Sequence, residues 1–316
     1  MELIENYQPE YVKRFKENNN KCLCQTCQKE GNGFPFVTLR WKNQQRESLS
    51  LSCQTAASEI LLNPRAFVLN MSSIAVDSKD LSELEHDVEM LHQIFINHII
   101  DNATDYRESL YAISILLNKV QRCKEITDFN IDQLVTLSSQ ISELIFSGQL
   151  KKHLSEISGF ANLRLNLLLG LGDMPLEIDL PMVKKMSFML KLTELKIFSE
   201  DRIEERLLEL ENVYYSCPQF FLDYDFLFKN LILYKIYNNS FCDLSVKSIS
   251  FFKTLCEELF QIKMLVSIYL LDNSDMGNKE VSLIINAYYR WKKNDQSNKI
   301  KSIQSEDAIL YGLAVL

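Results

Sequence analysis

The sequence predicts a mainly α protein: an irregular multi-helix bundle with a small N-terminal hairpin or loop region that contains cysteines. Three observations carry this. The 316 residues include only 8 glycines and 6 prolines, well below the usual shares of about 7% and 5%, so few sheet turns are available. Apolar residues recur at helical spacing, as at Leu84, Val88, Leu91, Phe95 and Ile99. A hydrophobic content of 47% supplies a core for one large or two ordinary domains. The expected division is residues 1–65, a cysteine-motif region, and 66–316, an all-helical domain.

Each element then has its own signal. Pro9 to Lys16 is a short first helix, broken by Asn18-Asn19-Asn20. Phe34 to Leu39 and Ser48 to Ser52 alternate polar and apolar residues, as a small hairpin would. Ser52 is the expected N-cap of a helix from Cys53 to Asn63, which Pro64 stops. After a linker from Ala66 to Lys79 come a helix from Asp80 to Asp101 and a second that Thr104 caps, carrying Tyr106, Leu110, Ile113 and Leu117. Asn130 with Gln133 opens a helix for which Gly148 is the C′ residue. Further helices are expected from Lys151 to Leu169, Pro181 to Phe198, Glu200 to Tyr215, Phe220 to Tyr237, Ser245 to Leu271, Lys279 to Lys293, and from near Ser305 onward.

A net charge of −8 and a pI near 5.2 disfavour nucleic acid and anionic membranes as partners. The start, MELIENYQPE, has neither a basic nor an apolar leader region, and no run of about 18 uncharged apolar residues occurs. A cytoplasmic location is expected. In a reducing compartment eight cysteines read as free thiols and metal ligands.

Cys22, Cys24, Cys27 and Cys53 are the group that helix packing does not explain. Cys24-x-x-Cys27 places two thiols about one turn apart, a spacing used for zinc and for iron–sulfur clusters. Cys53 and Cys22 would complete four ligands if the chain between them folds back. Cys123, Cys217, Cys242 and Cys256 stand singly and read as small core hydrophobes. His86, His92 and His98 recur every six residues, so a helix turns them about 120° apart and they do not converge; His153 stands alone. Gly170-Leu171-Gly172 lacks a preceding strand and a third glycine, and reads as a helix end. Tyr224, Phe226, Phe228, Tyr234 and Tyr237 read as core, and Glu204, Glu205, Glu209 and Glu211 as a solvated helix face.

The wording around the cysteines resembles the flagellin lysine-N-methylase family. Leu23, Cys24, Thr26, Cys27, Pro35, Ser48, Leu49, Leu51, Ser52, Cys53, Ala56, Ala57, Leu62 and Pro64 stand where that family's second cysteine motif has the same residues. Pro9 to Phe15, Asp105 to Leu117 and Asp223 to Phe241 are similar to other phrases of the family. The resemblance implies an S-adenosylmethionine-dependent N-methylation of lysine side chains in flagellin. It also implies a [4Fe-4S] cluster on Cys24, Cys27, Cys53 and Cys22, with zinc as the alternative metal.

Two departures qualify the expectation. The family's Tyr-Pro-Arg phrase is Phe34-Pro35-Phe36 here, behind an insertion at Gly31-Asn32-Gly33. The family's earlier cysteine-rich segment, ending in Cys-Cys-x-Gly-Trp, has no counterpart in Lys16 to Lys21, so feeble methyl transfer is expected. The rival reading is a non-catalytic helical interaction module whose cysteines form a structural metal clasp. Neither the general base nor the donor site is identified by the sequence.

Overall fold

The N-terminal residues build a sheet from four strands: β1 (Glu2–Pro9), β2 (Phe36–Arg40), β3 (Gln44–Leu49) and β4 (Leu69–Val76). The computed structural model describes residues 2–18, 22–76, 81–125, 131–157, 159–216, 225–238, 241, 246–273, 276–294 and 308–316. The strand order is β2-β3-β1-β4. The β2–β3 hairpin is antiparallel, β3 runs parallel to β1 from Glu5↔Gln44 to Tyr7↔Arg46, and β4 pairs antiparallel along all of β1.

The first hairpin strand lies close to where alternation placed it, but the second runs over Gln44–Leu49 rather than Ser48 to Ser52, because the chain turns there and the Cys53 amide bonds the Ser50 carbonyl at 3.1 Å. Strands β1 and β4 were not expected. Leu69 to Val76 falls inside the supposed linker, where polar Asn70, Ser72 and Ser73 hide the pattern. Pairing with β1, rather than intrinsic propensity, makes it a strand.

Fourteen helices follow or interrupt the strands among the described residues: α1 (Glu10–Asn18), α2 (Gln25–Glu30), α3 (Gln54–Leu61), α4 (His86–Ile100), α5 (Tyr106–Glu125), α6 (Ile131–Phe146), α7 (Gln149–Ser155), α8 (Ala161–Gly172), α9 (Met182–Ile197), α10 (Glu200–Ser216), α11 (Asp225–Tyr237), α12 (Val246–Leu270), α13 (Asn278–Asn294) and α14 (Ala308–Val315). The mainly α expectation holds. The 25-residue α12 is the axis of the bundle and touches α5, α8, α9, α10, α13 and α14. It carries many apolar side chains of its own, among them fully buried Phe252, Leu255, Leu259, Leu265 and Tyr269.

Several helix ends differ from the expected ones for local reasons. Asp105, not Thr104, caps α5: its Oδ1 accepts from the amides of Arg107 and Glu108, both at 2.8 Å, while the Thr104 hydroxyl bonds within its own turn to the Asp101 carbonyl. Asp105→Ala is expected to cost about 1 kcal/mol in a urea titration; a change near zero would show the cap to be idle. The helix expected over 151–169 is split into α7 and α8, in a stretch where the Ser155 hydroxyl bonds back to the Lys152 carbonyl. Gly148 does adopt a left-handed φ of 72°, between α6 and α7. Gly172 ends α8 and lets α9 approach, because a Cβ there would lie 3.2 Å from the Leu192 carbonyl. Residues 126–130 and 217–224, with Asn130, Cys217, Phe220 and Tyr224, lie outside the described residues, as does Ser305.

Two sets of side chains tie the N-terminal region, the sheet and α3 with its flanking loops, to the bundle. Tyr237 and Tyr234 of α11 donate to the Tyr7 and Leu49 carbonyls at 2.9 and 3.0 Å, which accounts for these aromatics structurally. Asn230 reaches the Leu61 and Asn63 carbonyls, and Asn286 of α13 reaches the Leu51 carbonyl at 3.0 Å. Deeper in the bundle, buried Glu258 joins three helices: Lys235 at 2.9 Å, Lys292 in closer contact, and the Tyr289 hydroxyl at 2.8 Å. Glu211 corrects the solvated-face expectation, since it pairs with Arg164; Glu204, Glu205 and Glu209 are exposed.

Candidate metal centre

The centre is built around the first residue before α3. Cys53 is fully buried and stands at the N-cap of that helix, with extended φ and ψ of −89° and 127°. The expected cap, Ser52, instead pairs its hydroxyl with Ser50 at 2.7 Å. Ala56, Ala57, Ile60 and Leu61 bury the helix, which contacts α1, α11 and α13, so Cys53 is held from three sides. Cys24 occupies the same position before α2, and Cys27 follows within its first turn. Gly31, with φ of 79°, ends α2 and turns the chain toward the hairpin. The cysteines therefore flank the hairpin rather than sit in it. Lys293 of α13 clamps this loop by an ion pair to Glu30 at 2.6 Å and by lying 4.8 Å from the Phe34 ring centre.

The four thiols expected to meet do meet. Sulfur separations from Cys53 are 3.5 Å to Cys27, 3.6 Å to Cys22 and 3.9 Å to Cys24, and all four sulfurs lie within 4.8 Å of one another. Four thiolates about 2.3 Å from one ion form a tetrahedron with edges of about 3.8 Å. The observed spacing fits such an ion more closely than a [4Fe-4S] cluster, which sets a separate iron behind each thiolate and needs the sulfurs further apart. The Thr55 hydroxyl lies 3.3 Å from the Cys22 sulfur.

Electrostatics favours one thiolate over its neighbours. The bond with Cys53 lowers the Cys24 pKa, with help from the Cys27 and Gln54 amides. The same bond, with burial, raises Cys53. Burial and the Cys24 contact raise Cys27. Four anions in one shell repel, so full ionisation of the group requires a bound cation.

The remaining ligand types lie elsewhere. His92 bonds the Phe241 carbonyl at 3.0 Å and His98 the Ser138 hydroxyl at 3.0 Å; both are buried and pushed toward neutrality by that burial, while His86 is exposed. Cys256 is buried in α12 as expected, whereas Cys217, Cys242 and the Cys123 side chain lie outside what is described.

Beside the thiols is a recess of about 480 Å³ lined by Cys22, Cys24, Thr55, Asp179, Asn286 and Arg290, among others. It adjoins a wider hollow of about 710 Å³ that shares Gln25, Asp179 and Arg290 and adds Lys29, Glu177 and Lys185. Sequence reasoning missed Asp179, Asn286 and Arg290. A signal existed for the first: Met174, Leu176, Ile178 and Leu180 are buried and alternate with exposed Pro175, Glu177 and Asp179, as in an extended strap with one wet face.

The family model of the FliB lysine N-methylase C-terminal domain matches residues 92–307. The chain belongs to this family. It is similar to the proteins named Lysine-N-methylase of Salmonella typhimurium (strain LT2) and of Salmonella choleraesuis (strain SC-B67), each 26% identical over 226 residues, covering 70% of this chain and 55% of the relative. The chain thus spans about half the length of these curated relatives. No solved structure matches it. The family match contains Asp179, Asn286 and Arg290, while the cysteines precede it. No helix among the described residues is long and apolar enough to cross a membrane.

Proposed function

We propose that the protein methylates lysine side chains of flagellin, taking the methyl group from S-adenosylmethionine, in a reducing compartment such as the cytoplasm. The observation that carries this is the family match over residues 92–307; the recess beside the cysteine centre supports it. A lysine amine attacks only when neutral, and with an ordinary pKa near 10.4 about one in a few thousand is neutral at pH 7. The amine lone pair attacks the methyl carbon, and the carbon–sulfur bond breaks with its electrons going to sulfur. S-adenosylhomocysteine leaves, and the methylated ammonium gives its proton to water. A site that partly dehydrates the amine raises the reactive fraction. The test is label transfer from S-adenosylmethionine to purified flagellin: label in lysine, absent when the lysines are chemically blocked, is expected. A relative that carries the earlier cysteine segment should work faster. No label in either protein would remove the reading.

For the centre, we propose one thiolate-bound ion, zinc or iron, held by Cys22, Cys24, Cys27 and Cys53. Its chemistry there is to neutralise and lock the four thiolates, which fixes α2 and α3 as one wall of the recess. Anaerobic loading should yield about one metal per chain and no acid-labile sulfide. Four irons with four sulfides would reverse this assignment.

A further inference from the structure

We infer that the recess beside the cysteine centre is the methyl-donor site, with Arg290 receiving the α-carboxylate of S-adenosylmethionine and Asp179 its α-ammonium. The inference rests on the methylase reading and adds the place and the contacts.

Arg290 is the strongest observation. Its Nη2 donates to the Glu177 carbonyl, which pins one edge of the guanidinium, and its Nε is buried without a partner. It also lines every one of the three neighbouring hollows at this site. A planar carboxylate fits the fork of guanidinium donors. Asp179 stands on the facing strap, exposed, and among the described residues no hydrogen bond or ion pair engages its carboxylate. One cation and one anion on opposite elements complement the zwitterionic end of an amino acid.

The rest of the recess suits the rest of the donor. Its volume of about 480 Å³ lies in the range of about 300–1,000 Å³ that holds small ligands. Gln25, Gln54, Thr26 and Thr55 offer uncharged hydrogen-bonding groups for ribose and base, and Leu283 offers an apolar surface. Four thiolates around a divalent ion carry a net charge of about −2, and Cys22 and Cys24 form part of the lining. With such an ion bound, that charge would attract a sulfonium more than the neutral sulfur of the product, which would favour donor loading and product release.

The decisive experiment is calorimetric titration of the metal-loaded full chain with S-adenosylmethionine, S-adenosylhomocysteine and methylthioadenosine, which lacks the amino-acid end. Arg290→Gln is expected to weaken the first two at least about tenfold, the worth of a charge-assisted pair, and to leave methylthioadenosine unchanged. Asp179→Asn, on an exposed strap where folding is not at stake, should show the same selectivity. Equal affinities in wild type and both variants would overturn the donor site while leaving the methylase reading intact. Equal weakening of all three ligands would overturn the pairing of charges. Absence of any binding to the wild type would overturn the donor site and the methylase reading together.

Discussion

Replacing Cys53 with serine is expected to abolish tight metal uptake and to lower the thermal midpoint of the whole chain, a larger effect than any other single change outside the deep core. Cys53 is the hub, 3.5–3.9 Å from each of the other three sulfurs, and it starts a buried helix packed against α1, α11 and α13. Structural thiolate sites bind zinc with about 10–16 kcal/mol, and that binding energy is folding energy. A serine hydroxyl is a poor substitute ligand, so several kcal/mol should go with it. A chelator should reproduce the loss in the wild type and add nothing in the variant. Binding should also weaken as pH falls, because thiols must lose protons to bind. Anaerobic metal analysis with scanning calorimetry decides: one ion per chain and an unchanged midpoint in the Cys53→Ser variant would dismiss the shared site.

Glu258→Gln should cost about 3–5 kcal/mol, the usual result of removing one partner from a buried ion pair. The substitution keeps the shape and the bond from Tyr289 but leaves Lys235 and Lys292 as two shielded cations without their anion. Burial alone would raise the Glu258 pKa; the two lysines outweigh it and hold the carboxyl near 2, below its ordinary 4.5. A depressed acid stabilises the fold fully above its unfolded value. The contribution is therefore complete above about pH 4.5 and is lost as pH falls toward about 2. The variant should lack this part of the acid slope, and its deficit should shrink at alkaline pH, where Lys292, whose pKa burial already lowers, can lose its proton. Denaturant midpoints across pH measure both; a deficit under about 1 kcal/mol at pH 7 would show the triad to be solvated after all.

What the sequence disclosed depended on the range of the forces involved. Cys24 and Cys27 were legible because one turn of chain brings them together, and Cys53 because alternation before it announced a returning strand. Helices such as α12 were legible from local periodicity. The strands β1 and β4 were not, since each is a strand only because the other is beside it. Arg290 could not be picked out, because in Tyr288-Tyr289-Arg290-Trp291 it reads as the polar face of a helix end, and its partner strap is more than a hundred positions away. The histidine spacing correctly excluded convergence, yet it carried no sign that His92 and His98 would be buried.

The Asn286 bond to the Leu51 carbonyl spans 235 positions of chain. At about 5–20 residues per second, the wall supplied by α13 is synthesised roughly ten to fifty seconds after the cysteine loop leaves the ribosome. During that interval Cys22, Cys24, Cys27 and Cys53 have neither Lys293 to clamp their loop nor Asn286 to anchor the turn between β3 and Cys53. The order of synthesis thus opposes the order of shelter: the most oxidisable atoms come first and their cover comes last. With the proposed ion, capture by the nascent loop would bridge the gap, and yield under oxidative growth should then depend on metal supply during translation rather than after it.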